Sequence, residues 1–228
     1  MKKIFLSKKA AVLAIALAAG GIASAEVSFG ASVIGGGNVG SVRAGDYEET
    51  FGETDSIINL TVGFTLDAQL NFNIGSQSFF VRPSVDFLFN NGLGNGFKFT
   101  YDDHTIGTSS KSDCKISVTT IDIPVVFGYT AKFSDKVKMN FFLGPYISFA
   151  ADGTVEFNGK KHNADFVEPV FGGLAGLEGC LKAGPGSVVL GAGYKFDFAA
   201  TEMEVNGTKG TLYARRNIFM NAGYRFEL

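Results

Sequence analysis

INLTVGFTLDAQLNF, residues Ile58 to Phe72, alternates apolar and polar side chains over fifteen residues without an error. Ile58, Leu60, Val62, Phe64, Leu66, Ala68, Leu70 and Phe72 fall on one parity, and Asn59, Thr61, Gly63, Thr65, Asp67, Gln69 and Asn71 on the other. Successive side chains of a β-strand point to opposite faces, so this is a strand with one apolar and one polar face. Strands of globular proteins usually run to about 5–6 residues. This one is far longer.

The same period recurs along the chain. Phe79–Phe89, Val137–Phe149, Val188–Phe198 and Ile218–Leu228 alternate as clearly. Val27–Ile34 and Ser117–Ala131 are weaker copies, and Phe166–Lys182 is blurred by Gly172, Gly173, Gly176 and Gly179. Eight strands are therefore expected. The connections Asn73–Ser78, Phe133–Lys136 and Ala183–Gly186 are short, whereas Gly35–Ser56 and Asn91–Lys115 are long. The other two contain Asn158-Gly159 and Asn206-Gly207, which suit type I′ hairpin turns because both central residues need positive φ. Pro83, Pro124 and Pro145 lie inside strands and lack a ladder donor, so bulges are expected there.

Composition agrees with an all-β chain. Of 228 residues 30 are Gly and 23 Phe, with 7 Tyr and no Trp, and only 18% are charged. Gly weakens helices and Phe favours strands. The net charge of −2 offers no broad basic surface, so no nucleic-acid partner is expected. Two cysteines cannot staple a disulfide scaffold.

The first 25 residues read as an address. Lys2, Lys3, Lys8 and Lys9 precede the apolar run Ala10–Ala19, and Ala23-Ser-Ala25 is a small-residue cleavage site. Residues 1–25 are thus expected to be a secretory signal peptide, and 26–228 a single barrel domain. Cleavage would leave 16 basic against 22 acidic residues, a charge of −6. No later stretch is long and apolar enough for a membrane-spanning helix.

The polar face separates a membrane barrel from a soluble one. A soluble eight-stranded barrel buries its apolar face, whereas a membrane barrel turns it to lipid and keeps polar groups in the lumen. Strand parity places Asp67, Arg82, Asp86, Asp122, Lys138, Glu168, Glu178, Lys195, Asp197, Arg215 and Arg225 on the polar face. Small residues and mixed charges suit a narrow lumen filled by its own side chains. Phe80, Phe142, Tyr146, Tyr213 and Phe219 share that inward parity. The opposite face is nearly free of charge over about ten residues per strand, roughly what a tilted strand needs to span. Alternating short and long connections fit periplasmic turns and extracellular loops. The expected fold is an eight-stranded, antiparallel, up-and-down transmembrane β-barrel.

With these residues in view, the chain resembles the small outer-membrane β-barrel proteins, the group of opacity-type, OmpX-like, OmpW-like and PorT-type barrels. The resemblance covers residues 26–228 as architecture. Its local carriers are Ile121-Asp-Ile-Pro-Val-Val126 with Phe127-Gly-Tyr129, then Leu143-Gly-Pro-Tyr146, and the last strand Ala222-Gly-Tyr-Arg-Phe-Glu-Leu228. It implies residence in the outer membrane, contact with outer-membrane lipid, and recognition of the last strand by the barrel-assembly machinery during insertion. The chain departs from the pattern by ending in Leu228 and by lacking Trp, so Phe and Tyr must form any interfacial girdle.

Chemistry is sparse. His104 with Ser109, Ser110 and Ser112, and His162 beside Asp165, are the candidates for a catalytic rim, but they fall in loops, and catalytic groups need rigid support. Asp102, Asp103 and His104 are adjacent and do not converge easily on a metal. Neither enzyme activity nor a cofactor or metal site is expected. Cys114 and Cys180 are expected at opposite ends of the barrel, too far apart for a disulfide. The lumen charges are read as a plugging ion-pair network rather than an ion-selective pore. The expected role is surface interaction or envelope structure, with an extracellular ligand at loops 35–56 and 91–115. An OmpW-like conduit for small or apolar molecules and a lipid-modifying rim enzyme are the alternatives.

Overall fold

The computed structural model describes residues 26–44, 59–103, 108–157, 159–166, 168–199, 201–205 and 208–227. The expected leader 1–25 lies outside them, as does His104. Every regular element among the described residues is a β-strand. They are β1 (Glu26–Ala44), β2 (Asn59–Ile74), β3 (Gln77–Phe89), β4 (Leu93–Asp103), β5 (Thr108–Lys132), β6 (Val137–Phe157), β7 (Lys160–Phe166), β8 (Val170–Ala183), β9 (Gly186–Asp197), β10 (Thr201–Val205) and β11 (Thr208–Glu227).

Eleven strands make eight staves. β3 and β4 follow one another along the same edge of β5, first through Leu88↔Thr120 and then through Leu93↔Ile116. β7 and β8 share an edge of β6 in the same way, and β9 and β10 an edge of β11. Asn90, at φ 54°, and Asn91 make the first break, and Asn91 N–H still donates to Val118 O at 2.7 Å. The staves pair antiparallel in the order β1, β2, β3, β5, β6, β8, β9, β11, and β11 pairs back to β1 over Ser28↔Glu227 to Ala44↔Thr211. The barrel is closed, which leaves no sheet edge in the spanning region. The short turns and both ends of the described chain lie at one end, which identifies the periplasmic side.

The alternation of Ile58–Phe72 is realised in β2. Leu60, Val62, Phe64 and Leu66 are exposed on the outer wall, and Thr61 and Gln69 are buried in the lumen. An apolar band made of Phe29, Val33, Phe127, Leu143, Phe171, Leu190 and Ile218 continues it around the barrel. Aromatic rings gather toward its two rims. Phe72, Phe79 and Tyr129 pack in series near the periplasmic turns, with Tyr224 against Phe226, while Phe64, Phe87 and Phe89, and Tyr194, Phe196 and Phe198, form the outer clusters.

Three expectations need correction. The segment expected as the loop Gly35–Ser56 begins as strand, because β1 runs on to Ala44. Its run of glycines carries no alternation, yet the ladder needs only backbone groups. Within the expected loop Asn91–Lys115, β4 and the first part of β5 form a protruding hairpin. The prolines do not make bulges. Pro83↔Val125 and Asp86↔Asp122 keep one register, as do Pro124↔Tyr146 and Phe127↔Leu143. A missing N–H removes a bridge but inserts no residue. The pairing shifts instead at Thr119/Thr120, at Leu93/Phe97 and at Met203/Val205. The three prolines form a row: Pro83 lies opposite Val125, and at the same register Val125 faces Pro145.

Candidate functional site

Among the described residues, charged side chains from distant strands converge in the lumen. Inward parity on β2, β3, β8 and β11 brings Asp67, Arg82, Glu178 and Arg225 together. Arg82 Nη1 donates to both Glu178 oxygens at 2.9 Å, and Arg225 Nη1 donates to Glu178 Oε1 at 2.7 Å. Arg225 also forks onto Asp67, with Nε at 3.2 Å and Nη2 at 3.3 Å from its two oxygens. Two cations meet two acids, and all four groups are buried. The Arg82 guanidinium also lies over the Phe142 and Phe80 rings, at 4.8 and 5.4 Å from their centroids.

A second group forms toward the outer side. Lys195 Nζ donates to Asp86 Oδ2 at 2.5 Å and to Asp122 Oδ2 at 3.2 Å. Ser148 Oγ donates to the other Asp122 oxygen at 2.6 Å and accepts from Arg215 Nη2 at 3.0 Å. Arg215 Nε reaches Asp197 Oδ2 at 3.2 Å, and Tyr146 OH donates to Asp197 Oδ1. Lys195 and Arg215 thus face Asp86, Asp122 and Asp197. In a lumen of low dielectric such pairs hold only if nearly every donor and acceptor is used, as it is here.

Neutral groups complete the filling. Asn38 Nδ2 donates to Thr61 Oγ1 at 2.8 Å and to Asn91 Oδ1 at 2.9 Å, and Asn91 Nδ2 donates to Thr120 Oγ1 at 2.7 Å. Ile34, Leu88, Val126, Leu174 and the inward rings of Phe80, Phe142, Tyr146 and Phe219 pack between the polar groups. Between the two ionic groups a cavity of about 50 Å³ remains, room for a water or two rather than a solute. The periplasmic mouth holds a vestibule of about 80 Å³, into which Cys180 and Gln69 face.

Of the residues marked in the sequence, Asp67, Arg82, Asp86, Asp122, Glu178, Lys195, Asp197, Arg215 and Arg225 join these two groups. Lys138 does not; it pairs with Glu227 at 3.3 Å on the partly exposed periplasmic rim. Glu168 is not in the lumen. It is exposed in the bend between β7 and β8, because the stave breaks where parity assumes it continues. The side chain of Tyr213 lies outside the described residues. Of the Asn38, Asn91 and Thr120 chain, Asn38 and Asn91 fall in the expected loops Gly35–Ser56 and Asn91–Lys115, and nothing in the sequence distinguishes an uncharged amide there.

The other candidates stay apart. His162 sits on β7 opposite Val155, and the side chains of Ser109, Ser110 and Ser112 lie outside the described residues. Cys114 is level with Phe157 and Cys180 with Lys138, nineteen residues apart on β6. At about 3.3 Å per residue that is roughly 60 Å of strand, against the 7 Å or so that a disulfide allows.

Residues 23–226 match the family described as "Outer membrane protein beta-barrel domain". No curated protein matches the chain significantly. Among solved structures the chain is similar to Ail, the attachment invasion locus protein of Yersinia pestis, at 15% identity and a TM-score of 0.41, over 89% of this chain and 99% of that one. It is also similar to a major outer membrane protein from Thermus thermophilus, at 14% and 0.48, over 87% and 99%. A third is the outer membrane protease OmpT from Escherichia coli, at 10% and 0.45, over 90% and 96%.

Proposed function

We propose, from the premise that the chain belongs to the outer membrane protein beta-barrel domain family, that it is a non-conducting, non-enzymatic anchor presenting strands at the cell surface for interaction with other macromolecules. The observation that carries this reading is strand length. A tilted strand crosses the hydrocarbon with about 9–11 residues, whereas β5 has 25, β6 has 21 and β11 has 20. On β5 the outward apolar run spans Ile121 to Tyr129, so Thr108–Thr119 continue beyond it, roughly 40 Å of strand at the usual rise. Strands that long are not needed to hold a barrel in lipid. They form a raised sheet in which β7 and β10 pair with each other as well as with their staves.

The packed lumen supports the same reading over the conduit, because among the described residues the space between the two ionic groups is about 50 Å³ and the periplasmic vestibule about 80 Å³. The experiment has two arms. Cells displaying the full chain should adhere to one another or to coated surfaces more than cells whose chain has residues 94–113 replaced by a two-residue turn. The purified barrel should give no stable single-channel steps in planar bilayers. Equal adhesion by both strains overturns the surface role, and persistent steps favour the conduit.

A further inference from the structure

Two buried polar atoms at the periplasmic end of the lumen have no hydrogen-bond partner among the described residues. They are Ser28 Oγ and Gln69 Oε1, on residues 2% and 5% exposed. Ser28 and Gln69 are directly opposed on β1 and β2, and both line the vestibule of about 80 Å³. The other end of the Gln69 amide fixes its orientation. Nε2 donates to Asn71 Oδ1 at 2.7 Å, and Asn71 Nδ2 donates on to the Glu26 carbonyl oxygen at 3.3 Å. The Gln69 carbonyl oxygen is thereby left to the vestibule. Buried acceptors are nearly always used, so this space suits an occupant that carries donors.

The charges around the vestibule narrow the choice. Arg225 at its floor is engaged by Glu178 and Asp67, and Lys138 is engaged by Glu227. Two exposed charges of the lining, Glu26 and Lys132, have no ion pair among the described residues. They are opposite in sign. Glu26 is on β1 and Lys132 on β5, three staves apart in the closed ring, so they stand on facing walls. Glu26 also shares the inward parity of Ser28, which puts the acid on the wall of the two unpartnered oxygens. A lone cation placed here would face Lys132. A lone anion would face Glu26 and the Gln69 carbonyl oxygen.

We propose that the vestibule binds a small zwitterionic amino acid from the periplasm. Its ammonium sits on Gln69 Oε1, Ser28 Oγ and the Glu26 carboxylate, and its own carboxylate turns to Lys132. An ammonium has three donors, one for each of those oxygens. The volume sets the size. About 80 Å³ is roughly the liquid share of two or three waters, which admits a glycine-sized molecule and excludes a long side chain. Arg225, Glu178 and Arg82 close the lumen above it, so the ligand is held at the mouth rather than passed through. The site lies at the end of the barrel away from the raised strands and does not depend on their role.

The test is a titration of the isotope-labelled full barrel in micelles with glycine, followed by NMR. The readout is the side-chain amide signal of Gln69, assigned by its loss in Gln69→Leu. Wild type should show a saturable shift. Ethanolamine keeps the ammonium and lacks the carboxylate. Glycine betaine keeps both charges and lacks every N–H donor. Each should half-saturate at about tenfold higher concentration than glycine. Glu26→Gln and Lys132→Gln alter exposed rim residues and leave the buried ion pairs in place. Each should raise the glycine midpoint about fivefold, while the boiled and unboiled gel positions stay as in wild type. A shift that never saturates means that water alone fills the vestibule, which overturns the assignment. So does a midpoint for ethanolamine or betaine equal to that of glycine, or a wild-type midpoint in either variant.

Discussion

The ring of Phe142 lies across the backbone of Gly176 on the neighbouring stave, and its Cζ is 2.6 Å from where a Cβ of residue 176 would stand. Phe80 covers Gly128, Tyr146 covers Gly172, and Phe219 covers Gly193 in the same directly opposed way. A narrow lumen admits a flat ring only where the next wall has no side chain. Gly176→Ala should therefore overpack the lumen and destabilise the barrel by about 1–3 kcal/mol, measured as urea unfolding in micelles. Gly35→Ala, on the outer wall, should change stability little by the same measurement.

Glu178 holds two arginines at once, Arg82 and Arg225. Glu178→Gln keeps the shape but leaves two buried guanidiniums with Asp67 as the acid of that group. Breaking such a pair costs about 3–5 kcal/mol, so the urea midpoint should fall and boiling should no longer be needed to unfold the barrel on a gel. A midpoint equal to that of wild type would show that water already screens the lumen.

Lys195 stands between Asp86 and Asp122. Lys195→Met alone should destabilise by a similar amount, about 3–5 kcal/mol, because it strands two buried carboxylates. Adding Asp86→Leu and Asp122→Leu should recover most of that loss, since an apolar layer of similar volume needs no partner. Three equal losses in the stepwise series would mean that packing, not charge, sets the cost.

The cysteines should stay reduced with respect to each other. Oxidant applied to the folded barrel is expected to give no peptide joining Cys114 to Cys180, given their separation along β6. Maleimide should label Cys180 slowly until the barrel is unfolded, because the thiol is 7% exposed and faces Asn140 and Glu178. A crosslinked peptide would contradict the stave order.

Periodicity made the fold legible in Ile58–Phe72 because each face of a barrel wall meets a single solvent, lipid or lumen. The same rule assigned Arg82, Glu178 and Lys195 to the lumen. It failed at Glu168, where a break in the stave ends the parity. It also failed at Gly35–Ala44, since glycine carries no face preference to read. The glycines that blurred Phe166–Lys182 were themselves a signal. Gly172 and Gly176 share the parity of Leu174 and Glu178, which marks them as inward, but which ring each one receives depends on cross-strand register. The pairing of Arg82 with Glu178, 96 residues apart, likewise arises only on closure.

The prolines of β3, β5 and β6 set a condition on how the wall deforms. Bridges are absent between Ser84 and Pro124 and between Val125 and Pro145, while the pairs on either side keep their register. The lost donors thus fall at one height across adjacent seams instead of being scattered. Ladder hydrogen bonds are what resist shear between staves, so this height is the compliant girth of the barrel. The β2–β3 seam has a like gap between Asp67↔Ser84 and Leu70↔Val81, so lateral pressure from the bilayer would flatten the cross-section there first, over the four staves β2, β3, β5 and β6, while the other four hold their curvature.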